Sequence, residues 1–317
     1  LSAEMQEPMR VTGTIQPVSM KALRPGVYIY DLGQNMAGWC RLHVSGPAGT
    51  RVRLRYAETL KADGSLYRAN LRGARQTDVY ILKGDDAETW EPRFTSHGFR
   101  YVELTGYPGQ PTLHSIEGRV VNDDLPQAGS ITCSDDLLNR IYRAMVWGTR
   151  SNYRSIPTDC PQRDERQGWL GDRSEGSRGE TYMFDNANLY ADWLLDMADA
   201  QRASGSVPDI APAYWPIYSD NVVWPSTGVI IPEMLREQFD DTRIIARHYD
   251  SAKKWMTHMS GFMTDGIISR DSYGDWCLPP GKITIIHSKL ASRITDKTLL
   301  ATSFFYHDYK LMEQYAV

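Results

Sequence analysis

The hydrophobic period of the chain changes once, near residue 125, and this change limits the possible folds more than any other feature. Before it, apolar residues alternate, so that Val52, Leu54 and Tyr56 share one face of a predicted strand. After it, apolar residues recur at helical spacing. No strand–helix alternation appears, and 317 residues at ~100–200 per domain suggest two domains. We therefore predict strands in residues 1–125 and helices in residues 126–317.

Short apolar runs separated by turn sequences such as Pro25-Gly26 characterise the first region. This pattern is typical of an antiparallel β-sandwich or jelly roll. The predicted strands cover residues 27–30, 39–44, 51–56, 79–82, 99–104 and 116–121. Residues 1–24 show no clear period, and we expect them to be the tail of a preceding domain.

The second region contains about six helical patterns joined by long, aromatic loops. Ser134 is the expected N-cap of the first helix. Loops of this length in a compact domain are usually functional. The apolar positions that define three of the helices are Leu138, Ile141 and Met145; Ile245, Tyr249, Ala252, Met256 and Met259; and Leu300, Phe304, His307 and Leu311.

Composition and motifs exclude several classes of protein. The net charge of −4 argues against a nucleic-acid binder, and no apolar run reaches the ~20 residues of a membrane span. Four scattered Cys form no C-x-x-C pair, which excludes a zinc ribbon and leaves the compartment undecided. No nucleotide-binding or H-E-x-x-H motif occurs, so we expect no cofactor and no metal. Arg72-Gly73 looks like an ordinary turn, and Cys160 lacks a nearby His that would activate it.

The densest chemistry lies in residues 159–172, which contain four carboxylates, two arginines and Trp169. A folded loop would bring Asp159, Glu165 and Asp172 towards one pocket. The arginines favour ionised carboxylates, whereas desolvation beside an indole favours a protonated one. Glycoside hydrolysis needs both kinds of carboxyl group. A solvated loop of mixed charge is the alternative.

Aromatic residues are concentrated in two further loops, at Trp215 and Trp224 and at Tyr273 and Trp276. Apolar faces of sugars stack on such rings. The same residues also suit a protein core, so the sequence leaves both interpretations open.

Three segments resemble the bacterial α-L-rhamnosidases of glycoside hydrolase family 78. Residues 30–39 followed by 46–50, and residues 90–101, are similar to the β-sandwich of that family. Residues 159–172 resemble its catalytic stretch, D-C-P-x-R-D-E-R-x-G-W-x-G-D. The resemblance implies an (α/α)6 toroid of six helical hairpins behind the sandwich. It also implies inverting hydrolysis of terminal non-reducing α-L-rhamnose from an oligosaccharide, a polysaccharide or another glycoside.

The resemblance assigns roles residue by residue. Glu165 would be the general acid. The residues that would hold the rhamnose are Asp159, Arg163, Trp169, Asp172, Trp224 and Trp276. An inverting enzyme needs a second carboxylate ~6.5–9.5 Å from the acid. The family's base is a Glu that we expect to lie outside this chain, and Asp275 is the local candidate.

The length of the helical region differs from that of a full toroid. Twelve helices of ~11–12 residues with their connections need well over ~200 residues. We therefore expect a chain truncated at both ends, with about half of the toroid, exposed apolar helix faces and uncertain activity by itself. The alternatives are a non-catalytic carbohydrate-binding protein, or another (α/α)6 glycosidase or polysaccharide lyase. The oligomeric state and the aglycone preference are not indicated.

Overall fold

The computed structural model describes residues 4–174, 176–274 and 295–317. They form two compact units. The strand unit comprises Glu7–Leu125 and Ile131–Arg166, and the helical unit comprises the described residues within Leu1–Gln6, Pro126–Ser130 and Gln167–Val317. The compact units therefore differ from the predicted domains, 1–125 and 126–317, which stay a prediction. Within the described ranges, no helix is both long and apolar enough to cross a membrane.

The described part of the strand unit contains ten strands in antiparallel pairs. They are β1 Met9–Ile15, β2 Ser19–Arg24, β3 Val27–Val44, β4 Arg51–Ala57, β5 Thr59–Leu60, β6 Leu66–Tyr67, β7 Thr77–Ile81, β8 Glu88–Trp90, β9 His97–Thr105 and β10 Ile116–Asp123. The main sheet has the order β1-β10-β3-β9-β4-β7, and β2 and β8 also pair with β3. The predicted antiparallel β-sandwich is confirmed.

Strand β3 organises this sheet because it pairs with four other strands. Its first half lies between β2 and β9, and its second half contacts β10 and β8. The register against β9 shifts between Asp31 and Met36, where the strand changes partners. A Cβ at Gly38 would lie 1.9 Å from the Arg119 carbonyl oxygen, so only glycine fits there. The prediction of two separate strands, 27–30 and 39–44, is wrong because one strand, Val27–Val44, continues through the shift.

Two edge strands, β1 and β2, lie within residues 1–24, which the sequence predicts to be the tail of a preceding domain. Strand β1 pairs with β10, with Val11 opposite Val121, and β2 pairs with β3. The expectation that residues 1–24 belong to a preceding domain is therefore wrong for residues 9–24. Their period is weak because both strands are largely half-buried or exposed. In contrast, Val52, Leu54 and Tyr56 on β4 are fully buried, as predicted.

The first helix, α1, spans Asp136–Asn152 in the strand unit. The carboxylate of Asp135 accepts hydrogen bonds from two backbone N–H groups, so Asp135 is the N-cap and the prediction of Ser134 is wrong by one residue. Trp147 packs against the core of the sandwich. The predicted stripe of Leu138, Ile141 and Met145 is about half exposed.

The other helices are α2 Gly176–Thr181, α3 Ala187–Asp199, α4 Thr227–Phe239, α5 Arg243–Ser260 and α6 Lys297–Tyr315. The prediction of about six helices is thus confirmed for the described residues. On α5 the buried face includes Ala252, Met256 and Met259, as predicted. On α6 the buried face contains Phe305 and Asp308 in place of the predicted Phe304 and His307. The apolar residues of α6 surround the helix, so their spacing does not define one face.

Candidate active site

The first half of the acidic loop forms an ion-pair network in the strand unit, which we call the acid cluster: Arg72, Asp159, Arg163, Asp164 and Glu165. Arg163 donates from Nε to Oε2 of Glu165 over 2.7 Å and from Nη2 to Oδ2 of Asp159 over 2.8 Å. Arg72 donates from Nη2 to the same Oε2 over 2.8 Å, and its Nε lies 2.7 Å from Oδ1 of Asp164. Two guanidinium groups therefore orient the carboxyl group of Glu165.

The turn at Arg72 is part of this cluster, so its interpretation as an ordinary turn is wrong. It follows the short 3₁₀ helix Ala69–Leu71, and Arg72 has a φ of 52°. The N–H of Gly73 donates to Oδ2 of Asp164 over 3.0 Å. A Cβ at Gly73 would lie 2.7 Å from that oxygen, so a larger residue would disturb the contact. Sequence analysis missed Arg72 because it lies 93 positions from Glu165.

Burial and charge define the chemistry of the acid cluster. The side chain of Asp159 is 4% exposed and that of Glu165 is 15% exposed. Burial lowers the pKa of Arg163, but the hydrogen bond to Glu165 and nearby negative charges outweigh it, so the net shift is upward. Burial, together with a hydrogen bond to Asp159, raises the pKa of Cys160 to about 12. The thiol is therefore neutral near pH 7, which makes it a poor nucleophile.

The arrangement of Asp159, Cys160 and Glu165 has the geometry of a small metal site. Their potential ligand atoms lie within 4.8 Å of one another. However, Arg163 already contacts both carboxylates, and Arg72 also contacts Glu165. The arginines supply the positive charge that a cation would otherwise bring, and a thiolate ligand would require loss of the proton from Cys160.

The second half of the loop lies in the helical unit and is fixed there by backbone hydrogen bonds. The N–H of Leu170 donates to the Asp209 carbonyl oxygen, and the N–H of Ala211 donates to that of Gly168, each over 3.0 Å. Trp169 and Ile210 form an isolated antiparallel bridge. The segment is therefore ordered without being part of a helix.

Several aromatic rings meet in this unit, and we call Trp169, Trp215, Trp224 and Tyr273 the aromatic cluster. The ring of Tyr273 lies 6.1 Å from that of Trp169 and 4.6 Å from that of Trp224. Trp169 also packs edge-on against Trp215, with ring centroids 6.5 Å apart. Tyr273 thus holds two of the predicted sugar-binding tryptophans.

A buried carboxylate in turn holds Tyr273. The Tyr273 hydroxyl donates to Oδ2 of Asp209, and the Ser219 hydroxyl donates to Oδ1, each over 2.7 Å. Burial raises the pKa of both Asp209 and Tyr273. Sequence analysis missed Asp209 because its partners lie 10 and 64 positions away.

Close packing against Trp224 accounts for the glycine at position 171 of the fourteen-residue pattern, residues 159–172. A Cβ at this residue would lie 2.2 Å from Cδ2 and 2.3 Å from Cε2 of Trp224. The indole therefore packs directly on the backbone, and a methyl group would displace it.

The predicted site residues thus fall into two groups, one in each unit. Asp159, Arg163 and Glu165 contact one another in the acid cluster. Trp169 and Trp224 contact Tyr273 in the aromatic cluster. Asp172 is exposed and directly follows Gly171. Trp276 and the candidate base Asp275 lie outside the described residues.

Comparison with known proteins identifies the family. Residues 126–317 match the profile of the bacterial α-L-rhamnosidase six-hairpin glycosidase domain. The chain belongs to this family. Residues 21–122 match the concanavalin-like domain of bacterial α-L-rhamnosidases. The resemblance that the sequence motifs suggested is therefore confirmed, together with the fold class of a β-sandwich followed by a region of the six-hairpin toroid.

Known rhamnosidases resemble the chain in both sequence and structure. An α-L-rhamnosidase of Streptomyces avermitilis is 39% identical over 99% of this chain, and one of Formosa agariphila is 35% identical over 96%. The α-L-rhamnosidase structure from Dictyoglumus thermophilum is 41% identical, with a TM-score of 0.93 over 99% of this chain. The Streptomyces avermitilis structure, complexed with L-rhamnose, is 38% identical over 99% of this chain, with a TM-score of 0.93. The chain spans 29–35% of the length of these relatives.

Proposed function

We propose that the protein hydrolyses terminal non-reducing α-L-rhamnose from rhamnosides with inversion at the anomeric carbon. The observation that carries this proposal is the position of Glu165, whose Oε2 accepts from both Arg72 and Arg163 beside the buried Asp159. A general acid must be held within reach of the leaving oxygen, and two guanidinium groups fix one edge of this carboxyl group.

In this proposal Glu165 protonates the oxygen of the leaving group as the glycosidic bond breaks. Asp159 and Asp172 accept hydrogen bonds from sugar hydroxyls, and Arg163 donates one. The indoles of Trp169, Trp224 and Trp276 contact the apolar face of the rhamnose ring. A second carboxylate activates the attacking water on the opposite face. These are the roles that the family resemblance implies, and we propose them for the intact protein.

The variant Glu165→Gln tests the role of the acid. Gln cannot donate a proton, so we expect kcat/KM on ethyl α-L-rhamnoside to fall by ~10²–10⁴-fold. The fall on 4-nitrophenyl α-L-rhamnoside should be smaller, because nitrophenolate leaves without full protonation. Equal losses on the two substrates, or no loss on the ethyl glycoside, would remove Glu165 from this role.

Two further measurements complete the test. Glu313→Gln on the surface of α6 makes the same chemical change at a residue outside the acid cluster and should retain activity, since exposed ion pairs contribute little. Proton NMR during turnover should detect β-L-rhamnose before the anomers equilibrate. If α-L-rhamnose appears first, the mechanism retains configuration and the proposal of inversion is wrong.

A further inference from the structure

A cavity in the strand unit combines positive charge with exposed aromatic surface. Its volume is about 620 Å³, within the range of ~300–1,000 Å³ for small-molecule sites. Among the described residues, no Asp or Glu lines it. The lining side chains that matter here are Arg10, Arg93, Arg154, Arg166, Trp39 and Phe94.

Two of these arginines, Arg154 and Arg166, are half-buried and bond to backbone carbonyl groups. Arg154 donates to the Val121 carbonyl oxygen over 2.9 Å, and Arg166 donates to that of Ser96 over 2.8 Å. Neither forms an ion pair within the part of the chain that the structure describes. Burial and repulsion by Arg166 lower the pKa of Arg154 to about 10, although Asp123 partly offsets them. Both guanidinium groups therefore stay charged at pH 7, and their charge is only partly balanced.

The other two arginines complete the lining. Arg10 forms an exposed ion pair with Asp124, with 3.3 Å between Nε and Oδ2. Arg93 is exposed and, in the described ranges, has no ion pair. It can therefore approach a ligand without breaking an ion pair to any described residue.

The two aromatic residues of the cavity differ: Phe94 has a strained backbone conformation, and the indole of Trp39 is fixed by a hydrogen bond. Phe94 is fully exposed and has a φ of 57°, a conformation that is unfavourable for a bulky side chain. Arg166 has the same φ. Backbone strain of this kind is concentrated at ligand sites. Trp39 is half-buried, and its Nε1 donates to Glu91 over 2.9 Å, which fixes the indole.

We propose that this cavity binds a carboxylate-bearing saccharide, such as a uronic acid. A guanidinium group matches a carboxylate with two parallel hydrogen bonds. The rings of Trp39 and Phe94 offer apolar surface to the face of a sugar. The inference rests on the proposed function only in taking a saccharide as the ligand, and it concerns binding rather than hydrolysis.

Isothermal titration calorimetry of the intact protein with sodium D-galacturonate and with D-galactose tests this site. The two sugars differ only at C6, which is a carboxylate in galacturonate and a hydroxymethyl group in galactose, so we expect galacturonate to bind and galactose to bind at least tenfold more weakly. The affinity for galacturonate should fall as NaCl is added, because the attraction is electrostatic.

Variants then locate the binding. Arg93→Gln removes an exposed guanidinium group, and Phe94→Gly removes the ring while relieving the unfavourable φ, so both should fold. Each should weaken galacturonate binding about tenfold. Arg53→Gln, an exposed change on β4, is the matched control and should leave the affinity unchanged. Absence of binding, equal affinity for both sugars, or no effect of the two cavity variants would overturn the proposal. Rhamnoside hydrolysis, measured on the same samples, reports separately on the proposed function.

Discussion

Replacing Arg72 with Gln should move the alkaline limb of the pH–rate profile for rhamnoside hydrolysis to higher pH. Arg72 donates to Oε2 of Glu165, and its positive charge favours the ionised carboxylate. A general acid works only while it is protonated, so losing this charge extends the working range upwards. Arg163 keeps its hydrogen bond to the same oxygen, so the carboxyl group should stay in place.

The size of the shift follows from distance and exposure. Two unit charges ~4 Å apart interact by about 1 kcal/mol in water and about 4 kcal/mol near a protein surface. The Arg72 side chain is 50% exposed and that of Glu165 is 15% exposed, so the interaction lies between these two limits. Removing this interaction should therefore move the alkaline limb to higher pH, by a shift large enough to resolve in a pH–rate profile.

The assay is kcat/KM for ethyl α-L-rhamnoside as a function of pH, since protonation of this leaving group depends on the acid. Arg75→Gln removes the same charge from the same turn, and no contact of that side chain with Glu165 occurs in the described residues, so its profile should move much less. The reasoning is refuted if the Arg72→Gln profile keeps its alkaline limb in place or moves it to lower pH, or if the control shifts equally.

Three other substitutions test the helical unit. Gly171→Ala should displace Trp224 and raise the Kd for L-rhamnose about tenfold by overpacking; an unchanged Kd by calorimetry would show that the methyl group is accommodated. Tyr273→Phe removes a hydrogen bond to buried Asp209 and should lower the free energy of unfolding by about 1–3 kcal/mol in urea titrations; a loss under ~0.5 kcal/mol would contradict this. Burial raises the pKa of Asp308 well above its usual range, so its folded form prefers the neutral carboxyl and loses stability as pH rises through the folded pKa. Asp308→Asn should therefore raise Tm at pH 7.5, with a gain that disappears towards pH 3; an equal gain at both values would contradict this sign.

The sequence predicts this fold well where one face of an element is buried. Strand β4 alternates cleanly because Val52, Leu54 and Tyr56 all enter the core. Strand β1 gives little signal because both of its faces are partly exposed. On α6, neighbouring Phe304 and Phe305 are both apolar, and only packing distinguishes the buried one. Periodicity therefore identifies elements but not always the buried face.

For the candidate site, the sequence predicts the reactive groups but not the residues that hold them in position. The motif contains Asp159, Arg163 and Glu165 within seven positions, close enough for a loop to bring them together. Arg72 and Asp209 are distant in sequence from the groups that they hold. No sequence motif surrounds Arg72 or Asp209, because a side chain that contacts a distant loop does not require particular residues next to it in the sequence.

The two halves of the fourteen-residue motif are stabilised by different interactions, and this difference accounts for its composition. Residues up to 166 are held by charged side chains, with Arg163 joining Asp159 to Glu165. The following residues are held through backbone hydrogen bonds of Gly168 and Leu170 to residues 209–211. Charged residues are therefore concentrated where side chains make the contacts, and glycine occurs where the backbone must approach closely, as Gly171 does beneath Trp224. A loop stabilised in both ways can hold reactive groups in position without regular secondary structure.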